Sequence, residues 1–455
     1  MNIAIKKNGQ VRPRFYTNRG LALLFLPLII EQTLKYSTGL VDSMMVASIG
    51  EAAVSGISLV DFVMSFIMSL ISALLIGGSA IISQSIGRKD VVAANTGVGI
   101  LVKSALIISC ILALIVYGLS DFILQKVFGP LEYNVYHHAR IYLLIMLTSI
   151  PFLGLYSAGA NIFRCMNNTY TPMLIMFVCN VLNIIGNAIC LFYFGMGTAG
   201  VAFSTLLSRI IAALWIYMIL NSGKRILNVS GLFRRKFEFG LFRKIMRIGI
   251  PTGVENGTFF LGRILVLSIV ASLGTYAIAT NAVAGALSNF QVIPGMAIAF
   301  GTTVVIGRCK GAQDIEQAKF YNRRIITIVY VIQLFTVGVV YLLLNPILSI
   351  YSLSDETTGY VRSIMSIHSI FTIAIWPLAY ILPSTFRAAG DARFPMLTGV
   401  ISLFAGRLFG SWFLGVYCSM GIVGIWLGMF VDWILKSIAF IVRYYSGKWF
   451  EVSKT

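Results

Sequence analysis

Charge is what this sequence has little of. Asp, Glu, Lys and Arg make up 11% of its 455 residues, against about 25% in an ordinary soluble domain. With 58% hydrophobic residues, a soluble fold has too little interior to hide the apolar surface. The six cysteines (Cys110, Cys165, Cys179, Cys190, Cys309, Cys418) never form a Cys-x-x-Cys pair, which excludes the usual redox and zinc spacings. They read as small apolar fillers. Only three histidines occur and no His-Glu-x-x-His, so no metal site is expected. No Gly-x-x-x-x-Gly-Lys-Ser/Thr loop exists, which argues against a nucleotide-driven pump. The first twenty residues are polar and basic, without the apolar core or cleavage site of a signal peptide. The first apolar run is therefore expected to be a retained span.

Long apolar runs are what it has instead. Mean hydropathy is +0.87, and windows of about 19 residues find twelve candidate spans. They cover 20–46, 52–83, 93–119, 137–163, 171–195, 200–221, 245–272, 276–306, 324–350, 359–388, 395–417 and 421–443. Barrel-type alternation is absent, and backbone satisfaction in lipid leaves helices. The expected class is an all-α polytopic membrane protein. Its net charge of +19 suits loops facing anionic lipid better than nucleic acid. Of the 35 Lys and Arg, 26 flank one set of span ends, while the opposite loops hold only Lys126, Arg140 and Arg362. Both termini and the central linker are thus expected in the cytoplasm of a cell-membrane protein.

The chain also repeats itself. Pro27 and Glu31 recur as Pro251 and Glu255; Gly87, Asp90 and Ala94 recur as Gly311, Asp314 and Ala318. Phe163-Arg164 with Pro172-Met173-Leu174 recurs as Phe386-Arg387 with Pro395-Met396-Leu397. Met196-Gly197 and Gly200 recur as Met420-Gly421 and Gly424. Every offset is 223 or 224, one register over most of each half. The division that follows is a six-helix lobe at 1–222, a basic linker at 223–244 and a second six-helix lobe at 245–455. Six being even, the lobes are parallel repeats, with a substrate path expected between them near the midplane and transport expected by rocking of one lobe against the other.

Pro27 and Glu31, Val41-Asp42-Ser43-Met44-Met45-Val46, Gly50-Glu51-Ala52-Ala53-Val54, Gly87-Arg88-Lys89-Asp90, Asn183, Gly200-Val201-Ala202 and the second-half copies together resemble the multidrug and toxic compound extrusion (MATE) transporters. The resemblance spans nearly the whole chain and departs at Ala47, where the family usually has glycine. It implies two six-helix lobes around a central cavity and export of organic cations in exchange for H⁺ or Na⁺. In one branch (DinF-like) the cation site uses a helix-one Asp, matched by Asp42, with Asn183 and Thr205 matching its neutral ligands. Asn187 stands where that branch usually has a second Asp. The other branch (NorM-like) uses second-half acids. Glu255 matches its helix-seven Glu, but span 359–388 contains no acid to match the helix-ten partner.

The residues can be read without the family. An ionisable group in a span costs about 2.5–3.5 kcal/mol on insertion scales, so each needs a partner or a wet face. At 100° per residue, Glu31, Lys35 and Asp42 share one helix face within about 40°, expected to look into the cavity. Glu31 and Lys35, at i and i+4, can also simply neutralise each other. A bend is expected at Pro27. Asn180, Asn183 and Asn187 form one amide stripe, able to coordinate a cation, accept from a protonated carboxyl or bridge helices. Arg209 follows Thr205 by four and can reach the same region. Glu255 has Arg263 two turns on as a loose partner. Arg407 sits where the repeat assigns Asn183. Asp432 and Lys436 read as a structural i, i+4 pair, Asp61 as a helix contact and His368 as a packed histidine, with His137 and His138 in a loop. Asp90 and Asp314 sit at helix starts, where an acid is favoured.

A secondary active antiporter is the first reading, acting on a small-molecule substrate by alternating access. It needs no cofactor beyond the coupling ion and no enzymatic site; a monomer among membrane lipids, binding no nucleic acid, is expected. An intramembrane enzyme would need a clustered acid–base pair or metal ligands, which the sequence does not supply. A lipid-linked oligosaccharide flippase of the same superfamily is the alternative, its anionic cargo suiting Lys35, Arg209, Arg263 and Arg407. The topology is directly checkable. In a background without the native cysteines, Lys236→Cys should resist a membrane-impermeant thiol reagent in intact cells and react after permeabilisation. Labelling in intact cells would invert the assignment.

Overall fold

The computed structural model describes residues 5–7, 10–12, 14–129, 131–223, 225–232, 236–350 and 353–451. Lys224, Arg234, Arg235 and Lys454, counted above among the flanking cations, lie outside the described residues. Twelve long helices follow one another. The first six are α1 (Asn18–Ala47), α2 (Glu51–Gly87), α3 (Val91–Gly118), α4 (Tyr133–Cys165), α5 (Tyr170–Tyr193) and α6 (Gly197–Asn221). The second six are α7 (Phe239–Ser272), α8 (Thr275–Gly311), α9 (Ile315–Leu342), α10 (Asp355–Ala374 and Trp376–Ala389), α11 (Arg393–Tyr417) and α12 (Gly421–Tyr445). Ten of these are apolar enough to cross a bilayer alone, and the two pieces of α10 qualify together. α1 completes the twelve. Its 30 residues reach about 45 Å, but Glu31, Lys35 and Asp42 dilute its apolar character. The chain is thus an all-α, multi-pass membrane protein. The exception is an antiparallel hairpin of β1 (Ile5–Lys7) and β2 (Gln10–Arg12).

The chain divides into two compact units, Tyr16–Met246 and Arg247 onward together with the segment up to Phe15. These limits differ from the sequence division. Arg14 stacks over Phe320 at 4.4 Å and the Phe15 amide donates to Gln317 Oε1, which attaches the N-terminal segment to the second unit. The linker belongs with the first unit, because Leu227, Val229 and Leu232 are buried and Asn95 accepts from the Asn228 amide while donating to the Ile226 carbonyl.

Within the first unit α4 packs on α2, α3 and α6, and α5 lies between α1 and α6. The second unit repeats the order, with α8 packed on α9 and α10, and α12 on α10 and α11. The turns repeat as well. Lys89 and Gln313 both adopt positive φ (64° and 54°), and the next residue in each case caps a helix. Asp90 Oδ1 accepts from the Ala93 amide and Asp314 Oδ1 from the Gln317 amide. The duplicated aspartates therefore do architectural work, satisfying helix-end amides.

Breaks in the helices are compensated by specific donors, as lipid requires. α1 runs on through Pro27, whose ring frees the Leu23 carbonyl; Thr169 Oγ1 donates to it at 3.0 Å. α10 bends by 44° at Ile375, where Pro377 interrupts the ladder. There the Tyr330 hydroxyl donates to the Ala374 carbonyl and Ser437 Oγ to that of Ile375. α9 starts nine residues before the expected span because Asp314 caps a polar first turn that hydropathy does not register; a separate short helix, Leu344–Ile350, follows it.

Small residues set the α11–α12 contact. A Cβ on Gly406 would lie 2.7 Å from the Asp432 Cα, and one on Gly410 3.2 Å from the Gly428 Cα. One on Gly428 would collide with the Ser411 backbone. Close backbone approach of this kind drives helix association in lipid. Gly428→Val should therefore lower stability by about 1–3 kcal/mol, read as a reduced Tm of the detergent-purified protein; an unchanged Tm would mean the seam is loose.

Candidate functional site

The amide stripe of α5 divides its work among three helices. Asn180 Nδ2 donates to the Leu34 carbonyl of α1 at 3.2 Å, a plain helix bridge. Asn183 Nδ2 donates to Thr205 Oγ1 of α6 at 3.1 Å, and its own carbonyl accepts from Ser204 Oγ at 2.9 Å. Asn187 Nδ2 donates to Asp42 Oδ1 of α1 at 2.6 Å. Asp42, Asn183, Asn187 and Thr205 thus lie along one seam of α1, α5 and α6. The Oδ1 atoms of Asn183 and Asn187 are buried with no donor among the described residues. A buried acceptor left unpaired costs about 1–3 kcal/mol, and two lie together in this seam.

Two further charged groups belong to this neighbourhood. Arg209 donates from Nη1 to Ser149 Oγ of α4 at 2.6 Å rather than to Asp42. It remains within electrostatic reach of both Asp42 and Asp61, as Asp61 is of Asp42. Asp61, on α2, is exposed. The sequence offered no reason to join Asp61 to Asp42, since their helices meet only in three dimensions. With both acids ionised the three residues sum to one negative charge.

The remaining intramembrane acids are held by cations. Glu31 is fully buried between Arg164 Nη2 at 2.7 Å and Lys35 Nζ at 3.1 Å. Glu255 meets Arg387 Nη2 at 2.5 Å. Arg164 and Arg387, counted above as flanking cations, are instead interior partners. The signal was in the repeat: the Glu copies are 224 apart and the Arg copies 223, so the pair is duplicated whole. Glu31 consequently faces α4, while Lys35 keeps its ammonium end at a partly exposed position.

In the second unit Arg407 and Lys436 both bind Asp432, at 3.1 Å and 2.9 Å, and all three are buried. Arg407 lies in a π-helical turn, Leu403–Leu408, with its guanidinium 5.0 Å above the Phe259 ring. Such turns widen the helix locally, here placing Arg407 toward α12. The expected i, i+4 pair is present, but its third member comes from another helix. Arg263 also has an interaction and is exposed. His368 is buried against Trp426, Phe430 and Trp433, with Nδ1 2.7 Å from Gln291 Oε1. No group of three or more His, Cys, Asp or Glu suited to a metal ion exists among the described residues.

A multi-pass helical protein with a duplicated six-helix plan and unpaired polar oxygens inside a helix seam is built like a membrane transporter. The MatE family model matches the chain twice, at residues 27–189 and 251–412. The chain belongs to this family of transporters. It is 25% identical to a probable multidrug resistance protein NorM of Thermotoga maritima, over 94% of this chain and 92% of that protein. It is 24% identical to the uncharacterized transporter YisQ of Bacillus subtilis, over 99% of both. A crystal structure of a MATE protein in its bent conformation superposes with a TM-score of 0.86 at 19% identity, covering 97% of this chain and 100% of that one.

The duplicated ion pair generates a stability test. Removing one partner of a buried pair leaves an uncompensated charge and costs about 3–5 kcal/mol. Arg164→Ala should sharply lower the Tm or abolish folded yield, with Arg164→Ala/Glu31→Gln recovering part of the loss. Equal damage in the single and double variants would show that Arg164 acts through packing alone.

Proposed function

We propose that this chain is a secondary antiporter that exports organic cations by alternating access, driven by protons taken up and released at Asp42. The observation that carries the reading is the Asp42–Asn187 contact beside two buried amide oxygens without donors. A carboxyl within a span is neutralised by a proton, a metal cation or a basic partner. Among the described residues no cation lies within ion-pair distance of Asp42; its bonded neighbour is a neutral amide that can turn. With Asp42 ionised, Asn187 presents Nδ2 to it. With Asp42 protonated, a half-turn of the amide presents Oδ1 to the carboxyl hydrogen. Asn183 and Thr205 sit behind this exchange and hold α5 to α6.

Sodium is the competing ion. Asp42, Asn183 Oδ1, Asn187 Oδ1 and Thr205 Oγ1 form an all-oxygen donor set of the kind hard cations take. Only one of these is acidic, too little charge for a firmly held metal cation, while Arg209, within electrostatic reach, opposes either cation alike. Asp61 acts as a second acid that balances Arg209. Each proton moved down one pH unit supplies about 1.4 kcal/mol, which biases the two access states through their different affinities for it.

An organic-cation cargo is favoured over the anionic cargo of a flippase. Of Lys35, Arg209, Arg263 and Arg407, the cations an anionic cargo would use, Lys35 and Arg407 are engaged by Glu31 and Asp432 and Arg209 is bonded to Ser149 Oγ. The name of the Thermotoga relative, a probable multidrug resistance protein, points the same way.

Purified Asp42→Asn protein in vesicles should fold with a near wild-type Tm yet show no ethidium efflux under an imposed H⁺ gradient. Asp61→Asn should weaken coupling without abolishing it. Full efflux by Asp42→Asn would move suspicion to Glu255, and wild-type efflux driven only by a Na⁺ gradient would replace the proton by sodium.

A further inference from the structure

A groove of about 720 Å³ runs along one face of α9, far in sequence from the Asp42 seam. Lys319, Arg323 and Arg324 line its first part, and Ile328, Val331 and Ile332 line the rest. Positions spaced by three and four share one helix face. The opposite face, with Ala318, Tyr321, Ile325 and Val329, is buried in the second unit. The groove therefore changes from basic to apolar along a helix that enters the bilayer.

Little in the protein offsets the basic end. Glu316 lies 3.7 Å from Lys319. Arg323 also touches the Tyr444 hydroxyl, but no carboxylate lies within ion-pair distance of Arg323 or Arg324 among the described residues. Arg14, stacked over Phe320, adds another cation beside them. The internal repeat provides a control. The first-unit counterparts of Lys319, Arg323 and Arg324 are Asn95, Gly99 and Ile100. None of these three positions is charged, although Lys103 stands at the counterpart of Thr327, and Asn95 is occupied by the linker through Ile226 and Asn228. The same position in the fold is covered by chain in one unit and left basic in the other.

We propose that this groove binds one anionic phospholipid, its headgroup phosphate against Lys319, Arg323 and Arg324 and an acyl chain along Ile328, Val331 and Ile332. The three cations supply charge complementarity. The apolar stretch lies within the span, where a lipid chain is the available occupant and a soluble peptide or free phosphate has nothing to gain.

The test uses the full-length protein in detergent, titrated with dioleoylphosphatidylglycerol or dioleoylphosphatidylcholine and read by native mass spectrometry. Wild type should retain one phosphatidylglycerol in preference to phosphatidylcholine. Arg323→Gln/Arg324→Gln should weaken that binding by about thirtyfold, the factor expected for two basic residues at an anionic surface. The control Arg243→Gln/Lys244→Gln, an exposed basic pair elsewhere, should leave it unchanged. Equal retention of the two lipids, equal loss in the control, undiminished binding by the Arg323/Arg324 variant, or displacement of the lipid by millimolar inorganic phosphate would each overturn the assignment.

Discussion

A carboxylate inside a lipid-embedded helix bundle persists only with a counter-charge at contact distance. The buried pair of Glu31 and Arg164 is where this chain meets that constraint, and much of the architecture is arranged around it. It ties α1 to α4, the helix that also contacts α2, α3 and α6. Its copy, Glu255 with Arg387, ties α7 to α10. That copy carries unusual weight, because only 11% of the apolar window of α7 is buried, so α7 has little packing besides. Gly262 against Leu403 is one of its close approaches.

The spans were legible in the sequence because hydropathy measures the property that lipid selects. What it misses are features that depend on neighbours. The break at Ile375 had a local signal in Pro377, but its stability comes from Tyr330 and Ser437, more than 40 residues away in sequence. Counting cations at span ends gave no partner for Arg164 or Arg387, although the repeat already placed each near a constant distance from a duplicated glutamate. The pairing of Asp432 with Lys436 followed from helical spacing; the addition of Arg407 did not, since it crosses from α11 to α12. The same limit hid Asp61. Helical periodicity shows which residues share a face, not which faces meet.

The two units keep the same scaffold and differ in what fills it. Capping aspartates, positive-φ turns and the Glu–Arg pair appear twice. At the position of Asn183 the second unit has Arg407, and at that of Ser208 it has Asp432. An amide seam in one unit corresponds to a closed ionic cluster in the other. The helix order is kept, with one local change of backbone: Arg407 lies in the π-helical turn Leu403–Leu408, where the first unit has regular α-helix.

That difference bears on where an exchangeable charge can sit. Glu31, Glu255 and Asp432 contact guanidinium or ammonium groups at 2.5–3.1 Å. Displacing such a partner means stranding two charges in low dielectric. Asp42 is bonded to an amide, which offers either a donor or an acceptor by turning about one bond. A group whose neighbour accommodates both charge states can gain and lose a proton without breaking the bundle. Acids bonded to cations hold the helices together, and the proton exchange proposed above is assigned to Asp42, whose bonded neighbour is an amide.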